Sequence, residues 1–180
     1  TNISKFFLKD VPQEWTNFDS IICKPLSVEV SKFSKLVKKG WRNLIRDPSI
    51  FFDKKKHSIK LHFDMYHGYG LLDKAIDVMK EKDKNKFREF VNISTVFNPH
   101  IMVISKPKIL NLWFKDLFEW LFECEKVFSF ENLKNYRTQR LFAYLAERYL
   151  SYWFIENTNS KEWPYIFYDS ESSFSKYKIF

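Results

Sequence analysis

The chain has 180 residues, the length of one ordinary domain, and its 45% hydrophobic content is enough for a real core. Only 3 glycines occur, and neither a P-loop nor a dinucleotide fingerprint is present, which argues against a glycine-rich phosphate cradle in these residues. A formal charge of +8 points to an anionic partner such as phosphate, nucleic acid or an acidic membrane surface, without saying which.

The first apolar run, "FDSIICKPL" at 18–26, is closed by Pro25 and reads as a buried strand. A helix follows, capped by Ser27 or Ser31, continuing to about Arg46 and stopped by Asp47-Pro48. On it Lys32, Lys35, Lys39, Arg42 and Arg46 step 3, 4, 3, 4 and make one basic stripe. Phe33, Leu36, Val37, Trp41, Leu44 and Ile45 take the other side. The result is a cationic amphipathic helix, read either as an ordinary surface helix with its apolar side in the core or as a membrane-surface element.

Residues 51–60, "FFDKKKHSIK", read as a charged, irregular connector. Leu72, Ile76 and Met79 mark a helix that opens from the Gly-flanked turn "YHGYG". A second strand is expected at Ile101–Ser105, with Pro107 in the first turn of a strongly apolar helix over 107–127. The last helix is expected from about Asn135 to Asn157, followed by a polar and aromatic tail with at most one short strand around "YIFYD". The order is strand, helix, helix, strand, helix, helix, an α/β arrangement with a helical C-terminal half. No repeat or linker divides it.

Cys23 and Cys124 are too few and too far apart for a disulfide framework or a zinc site, so free thiols in a reducing compartment are expected. No apolar run reaches the ~18 residues of a membrane span, and no secretory signal is present. His57, His62, His67 and His100 show no i, i+4 pairing, so no metal site is expected; His57 and His62 read as loop or surface residues. His67 and Asp73 lie in and just after the Gly-flanked turn, where a helix N-terminus suits a phosphate or a sugar hydroxyl. The plainer reading gives Asp73 a first-turn role against the helix dipole, with His67 packed nearby. Asn98 and His100 precede the second strand, and turn chemistry alone accounts for Asn-Pro. Arg137, Arg140, Glu147 and Arg148 ride on the last helix. Arg140 and Glu147 are seven apart on one face, either paired structurally or lining a cleft for an anionic or hydroxyl-rich ligand.

Four segments in order, "FDSIICKPL", "YHGYGLLDKAI", "FNPHIMVISKPKILNLWFKDLFEWLFECEKV" and "RTQRLFAYLAERYLSYWF", resemble a bacterial family of capsular-polysaccharide and exopolysaccharide glycosyltransferases, first catalogued as a domain of unknown function. The matching family segments are a "D-I-hydrophobic-K-P" strand, a Y-x-x-H turn followed by Asp, an "N-M-F-I-M-K-K … W-L-F" strand and helix, and "R-x-F-G-F-L-S-E-R-L-L-x-x-W". The match covers most of 18–155, and its last block is the most specific. This chain departs from the pattern at Gly70, near the family Asp, with Asp73 a turn later, and at Ala143 in place of Gly.

The resemblance implies the C-terminal portion of a GT-A-like glycosyltransferase domain over residues 1–160, largely helical with a few strands, and a polar tail over 161–180. The family's "H-Y-R-R-Y-F" strand and first nucleotide-binding strands are expected upstream of Thr1, so the segment alone is expected not to transfer sugar. It implies a nucleotide-sugar donor, uridine diphosphate-linked, and a glycan or lipid-linked glycan acceptor. Substrate contacts carried over are His67, Asp73, Asn98, Arg140 and Glu147; no cofactor falls within the segment, and any divalent metal belongs to residues upstream. The expected setting is cytoplasmic, peripheral on an anionic inner membrane through Lys32, Lys35, Lys39, Arg42 and Arg46, with no nucleic acid. The competing expectation is a basic, non-catalytic binding module for nucleic acid or other anionic partners; a helical scaffold with no ligand is the third.

Overall fold

The structure, a computed structural model, describes residues 7–129, 139–168 and 177–179. A 3-10 turn at Gln13–Asn17 leads into strand β1 (Ser20–Cys23), which is buried along its whole length. β2 (Leu26–Ser27) and helix α1 (Phe33–Arg46) follow. Three short helices come next: α2 (Ile59–Tyr66), α3 (Leu71–Asp77) and α4 (Glu81–Ile93). Then come β3 (Val96–Phe97), β4 (Val103–Ser105), α5 (Pro107–Phe128) and α6 (Leu141–Asn157). Strands β5 (Ser160–Trp163), β6 (Ile166–Tyr168) and β7 (Tyr177–Ile179) close the described chain.

The fold is mixed α/β, dominated by helices around a small mixed sheet. β1 is central, antiparallel to β4 with Ile21 opposite Ile104, and parallel to β5 with Ile21 opposite Lys161. β2 pairs with β3 and β6 with β7, both antiparallel. The main core lies among α2 to α6. Phe63, Leu72 and Phe87 meet Trp113, Leu117 and Trp120 of α5 and Leu145, Tyr149 and Phe154 of α6, all buried. Complete burial of each such side chain stabilises the fold by about 1.5–3 kcal/mol. Buried ring nitrogens add direction: Trp120 Nε1 donates to the Ala75 carbonyl at 2.7 Å and Trp153 Nε1 to Asp116 at 3.0 Å.

Several sequence expectations change. Neither Ser27 nor Ser31 caps α1: Ser27 is taken up in β2 opposite Val96, and Lys32 holds the cap position without a side-chain bond. The connector at 51–60 is partly helical. Asp53 caps a 3-10 turn at Lys54–Lys56, and Ser58 caps α2 by accepting from the Leu61 N–H. Ser58 three residues ahead of Leu61 is a capping signal that the surrounding lysines mask. His57 lies in the connecting loop as expected but is buried there, and His62 sits on α2, half-buried. His57 Nδ1 accepts from the Val30 N–H at 3.2 Å and Nε2 donates to the Ile50 carbonyl at 3.1 Å, so this ring clips the start of α1 to the turn beyond its end.

The helix marked by Leu72, Ile76 and Met79 ends at Asp77, leaving Met79 past its terminus, and α2 and α4 flank it as separate elements. The second strand is shorter than Ile101–Ser105, because His100 adopts a left-handed φ of 62° and the chain extends only from Val103. Helix α5 matches its expected span to within a residue. Arg137 and the expected start of the last helix at Asn135 lie outside the described residues, and so does Asp169 of "YIFYD". The tail contributes β5 to the central sheet, in addition to β6 and β7. Both cysteines are free and buried, with burial pushing the Cys23 thiol up to about 11 and Cys124 up to about 12.

Gly40 sits where α1 presses on α2. A Cβ there would stand 3.2 Å from Leu36 Cδ1 and 3.4 Å from Met65 Cγ. A large side chain has no room at this crossing, so Gly40→Leu is expected to destabilise the fold by about 1–3 kcal/mol, read as a lower urea midpoint. An unchanged midpoint would mean that the α1–α2 contact gives way freely.

Candidate functional site

The C-terminal end of α2, the middle of α6 and the loop before β4 converge. His67 follows α2 and is held there by its N–H donating to the Phe63 carbonyl at 2.8 Å. The chain then turns through Gly68 at φ 135° and Gly70 at φ 73°, conformations that favour glycine. At Gly68 a Cβ would also meet Leu71 Cδ1 at 2.4 Å, so the turn is fixed by sterics as well.

The His67 ring stacks on Tyr144 of α6, with ring centroids 3.7 Å apart, and meets Phe63 edge-on at 5.0 Å. Arg140, the residue that caps the start of α6, places its guanidinium 5.4 Å from the Tyr144 ring centre. His67 and Tyr144 are half-buried and Arg140 is exposed, so the three form one accessible wall. Lys39 of α1 lies over the neighbouring Tyr66 ring at 4.1 Å, adding a second cation to its rim.

Behind this wall stands a polar layer. Glu147 accepts a hydrogen bond from the His100 N–H at 2.5 Å and pairs with Arg148. Asn98 is buried; its side chain donates to the Cys23 carbonyl at 2.6 Å and its N–H to Ser151 Oγ at 2.8 Å. Those bonds tie the end of β1 and the Asn98–His100 loop to α6. Asn98 and Glu147 are thus placed to hold the loop, including the left-handed His100, against α6.

Sequence reasoning passed over Arg148 as one charge among several on the last helix. It is 1% exposed, and its guanidinium carbon lies 3.6 Å from the centre of the Phe97 ring. One terminal nitrogen donates to Glu147 and the other approaches His62 Nδ1 at 3.4 Å, whereas Nε has no hydrogen-bond partner among the described residues. Burial lowers the Arg148 pKa and the Glu147 carboxylate works the other way. The adjacent Glu147-Arg148 dipeptide on an otherwise apolar helix is the signal that could have found it.

Asp73 belongs elsewhere. Helix α3 has only 7 residues, and the Gly70 N–H at its start already donates to the buried carboxylate of Asp64 at 2.9 Å. Lys60 bridges Asp64 and Asp73 at 3.1 and 2.8 Å. Burial works against that ammonium, but the two carboxylates outweigh it and raise its pKa. Lys60, Asp64 and Asp73 lie on an open cleft of about 800 Å³ with Arg46 and Lys56, separate from His67 and Tyr144. Two carboxylates at the start of α3 make it a poor anion seat. The structure therefore places His67 and Arg140 about Tyr144, ties Asn98 to α6 and Glu147 to the loop before β4, and leaves Asp73 apart. Among the described residues no group of three His, Cys, Asp or Glu side chains could hold a metal ion.

A family model described as "Domain of unknown function (DUF4422)" matches residues 22–159. That span contains every side chain of the wall and of the layer behind it. No curated protein and no solved structure shows a significant match to the chain.

Proposed function

We propose, for a chain that belongs to the family described as a domain of unknown function (DUF4422), a role as the C-terminal portion of a GT-A-type glycosyltransferase domain that moves a sugar from a nucleotide-sugar donor to a growing surface glycan. The reading rests on the resemblance of the four segments. The observation that supports it best is the accessible stack of His67 on Tyr144 with the Arg140 guanidinium beside it. Planar rings suit the C–H face of a sugar, and a guanidinium fork suits phosphate.

In such a transfer an acceptor hydroxyl oxygen forms a bond to the anomeric carbon of the donor. The bond from that carbon to the nucleoside diphosphate breaks, the diphosphate leaves with the electron pair, and the hydroxyl proton passes to a base. Charge gathers on the departing diphosphate, and preorganised positive groups lower the barrier by meeting it there. In this reading Arg140 supplies such a charge, and His67 and Tyr144 orient a sugar or nucleobase ring. Asn98 and Glu147 position the loop without touching substrate. No step is assigned to a metal.

In the complete protein, His67→Ala and Arg140→Ala are each expected to cut turnover of a uridine diphosphate sugar at least about tenfold, the worth of one charged hydrogen bond. Thermal unfolding should move by no more than a few degrees, since Arg140 is exposed and His67 is half-buried at the wall. Unaltered turnover in both variants would remove the wall from the reaction.

The runner-up, a non-catalytic basic binding module, draws on the charge of +8. A salt-sensitive shift with mixed oligonucleotides, and none with nucleotide sugars, would favour it.

A further inference from the structure

Helix α1 uses only a narrow strip of its surface to hold on to the fold. Leu36, Gly40 and Leu44 are its buried residues, and they pack with Ile50, Leu61 and Met65 in a small second core. The other apolar residues face outward: Phe33 is 65% exposed, Val37 42%, Trp41 50% and Ile45 72%. They recur every four residues and form one ridge beside the buried strip. At the start of α1 the ridge continues sideways, because Phe33 contacts Phe51 with centroids 4.8 Å apart and Phe51 contacts Phe52, which is 90% exposed.

On the far side of that ridge lie Lys35, Lys38, Lys39, Arg42 and Arg46, all exposed, and α1 carries no acidic residue. The nearby carboxylates are already engaged: Glu29 pairs with Lys54 and Asp47 with Lys56. A large exposed ridge containing an indole, bordered by cations alone, differs from an ordinary surface helix, whose polar arc borders its core strip directly.

We infer that α1, with Phe52, is a docking face for an anionic lipid bilayer surface, lying in the plane of the membrane. In that position Trp41, Ile45, Phe33 and Phe52 enter the headgroup boundary, where indole and phenyl rings are favoured. The basic arc meets the lipid phosphates, and each cation held near such a surface strengthens partition several-fold. Among the described residues no helix is long and apolar enough to cross a membrane, so the contact is peripheral. Charge complementarity selects the occupant: a neutral protein groove would satisfy the ridge but leave the exposed cations Lys35, Lys38 and Arg42, which pair with no carboxylate among the described residues, facing it without counter-charge. The inference does not depend on the sugar-transfer reading.

The test is co-sedimentation of the 180-residue chain with vesicles of phosphatidylcholine carrying rising fractions of phosphatidylglycerol. Binding is expected to rise with the anionic fraction and to be absent on phosphatidylcholine alone. The triple variant Lys35→Gln/Lys38→Gln/Arg42→Gln should bind roughly a hundredfold more weakly. The ridge variant Trp41→Ser/Ile45→Ser should lose at least about tenfold with its charge intact. Phe52→Ser, on a turn outside the helix, should weaken binding even if the ridge variant folds poorly by circular dichroism. Ridge and Phe52 variants that bind like the parent would reduce the effect to adhesion by charge and overturn the proposal. So would a chain that shifts a mixed oligonucleotide but stays in the supernatant with every vesicle. Neither result bears on turnover by His67 and Arg140 variants, so the two readings fail separately.

Discussion

Arg148→Ala is expected to be among the most damaging single substitutions in the chain, costing about 3–5 kcal/mol, the range for breaking a buried ion pair by removing one partner. For a domain of this size that lowers the melting temperature by on the order of 10 °C. The loss has three parts. The Glu147 carboxylate keeps its bond from the His100 N–H but is left without a cation. His62 Nδ1 loses the nitrogen that approaches it, and the face of Phe97 loses the guanidinium resting on it, which opens a void between α2, β3 and α6. Arg148→Met fills most of that void and should cost less. In Arg148→Met/Glu147→Gln the stranded charge is also gone, and the Gln side-chain oxygen can still accept from His100. Much of the stability should return, which a double-mutant cycle in urea would read as a coupling energy. A loss below about 1 kcal/mol for Arg148→Ala would show that the pair is solvated and that the layer behind the wall is not rigid.

That pair also marks the boundary of what was legible in the sequence. Periodicity found α5 to within a residue, since Trp113, Leu117, Trp120 and Cys124 keep helical spacing and Pro107 marks its first turn. It also found the central strand, because "SIIC" is buried on both faces and leaves an unbroken apolar run. It missed β5, whose "SKEW" looks like surface; this strand is recruited by pairing with β1, a long-range contact with no local signature. It found α3 behind its Gly-flanked turn but missed the helices on either side, because α2 and α4 carry charged residues on the same stretch as their core residues Phe63 and Phe87. On α1 the spacing gave the basic stripe correctly but could not say how much of the opposite side the fold would use. Neighbours cover Leu36, Gly40 and Leu44 and no more, and that is decided by where α2 crosses Gly40. At the site, Arg140 and Glu147 were identified as sharing a face of the last helix. Their unlike environments, one exposed and one locked to His100, depend on a loop from another part of the chain.

Acid should destabilise the protein through His62, by about 3 kcal/mol between neutral pH and pH 4. Burial, then the positive charges of Arg148 and Lys39, push the His62 pKa from 6.5 down to about 4. The ring packs on Tyr66 and Phe97, with His67 beyond, and among the described residues no carboxylate offsets the burial. In the unfolded chain the imidazole takes up its proton near 6.5, whereas in the fold it resists until about 4. Across that window the unfolded state holds the extra proton, so stability is complete above the upper value and falls by about 1.4 kcal/mol per pH unit below it. It levels off once the folded ring also protonates. Neutral His62 accepts at Nδ1 from Arg148; a protonated ring would instead set two cations against each other beneath the His67–Tyr144 stack. The wall should therefore loosen before the remainder of the core, which amide exchange of α2 can follow. His62→Gln retains an acceptor for Arg148 without a titrating ring. Its unfolding free energy, measured in urea from pH 7 to pH 4, should fall less steeply than that of the parent, and the difference between the two profiles should trace this window. Parallel profiles would place the imidazole in contact with water and its charge outside the balance that holds α2 to α6.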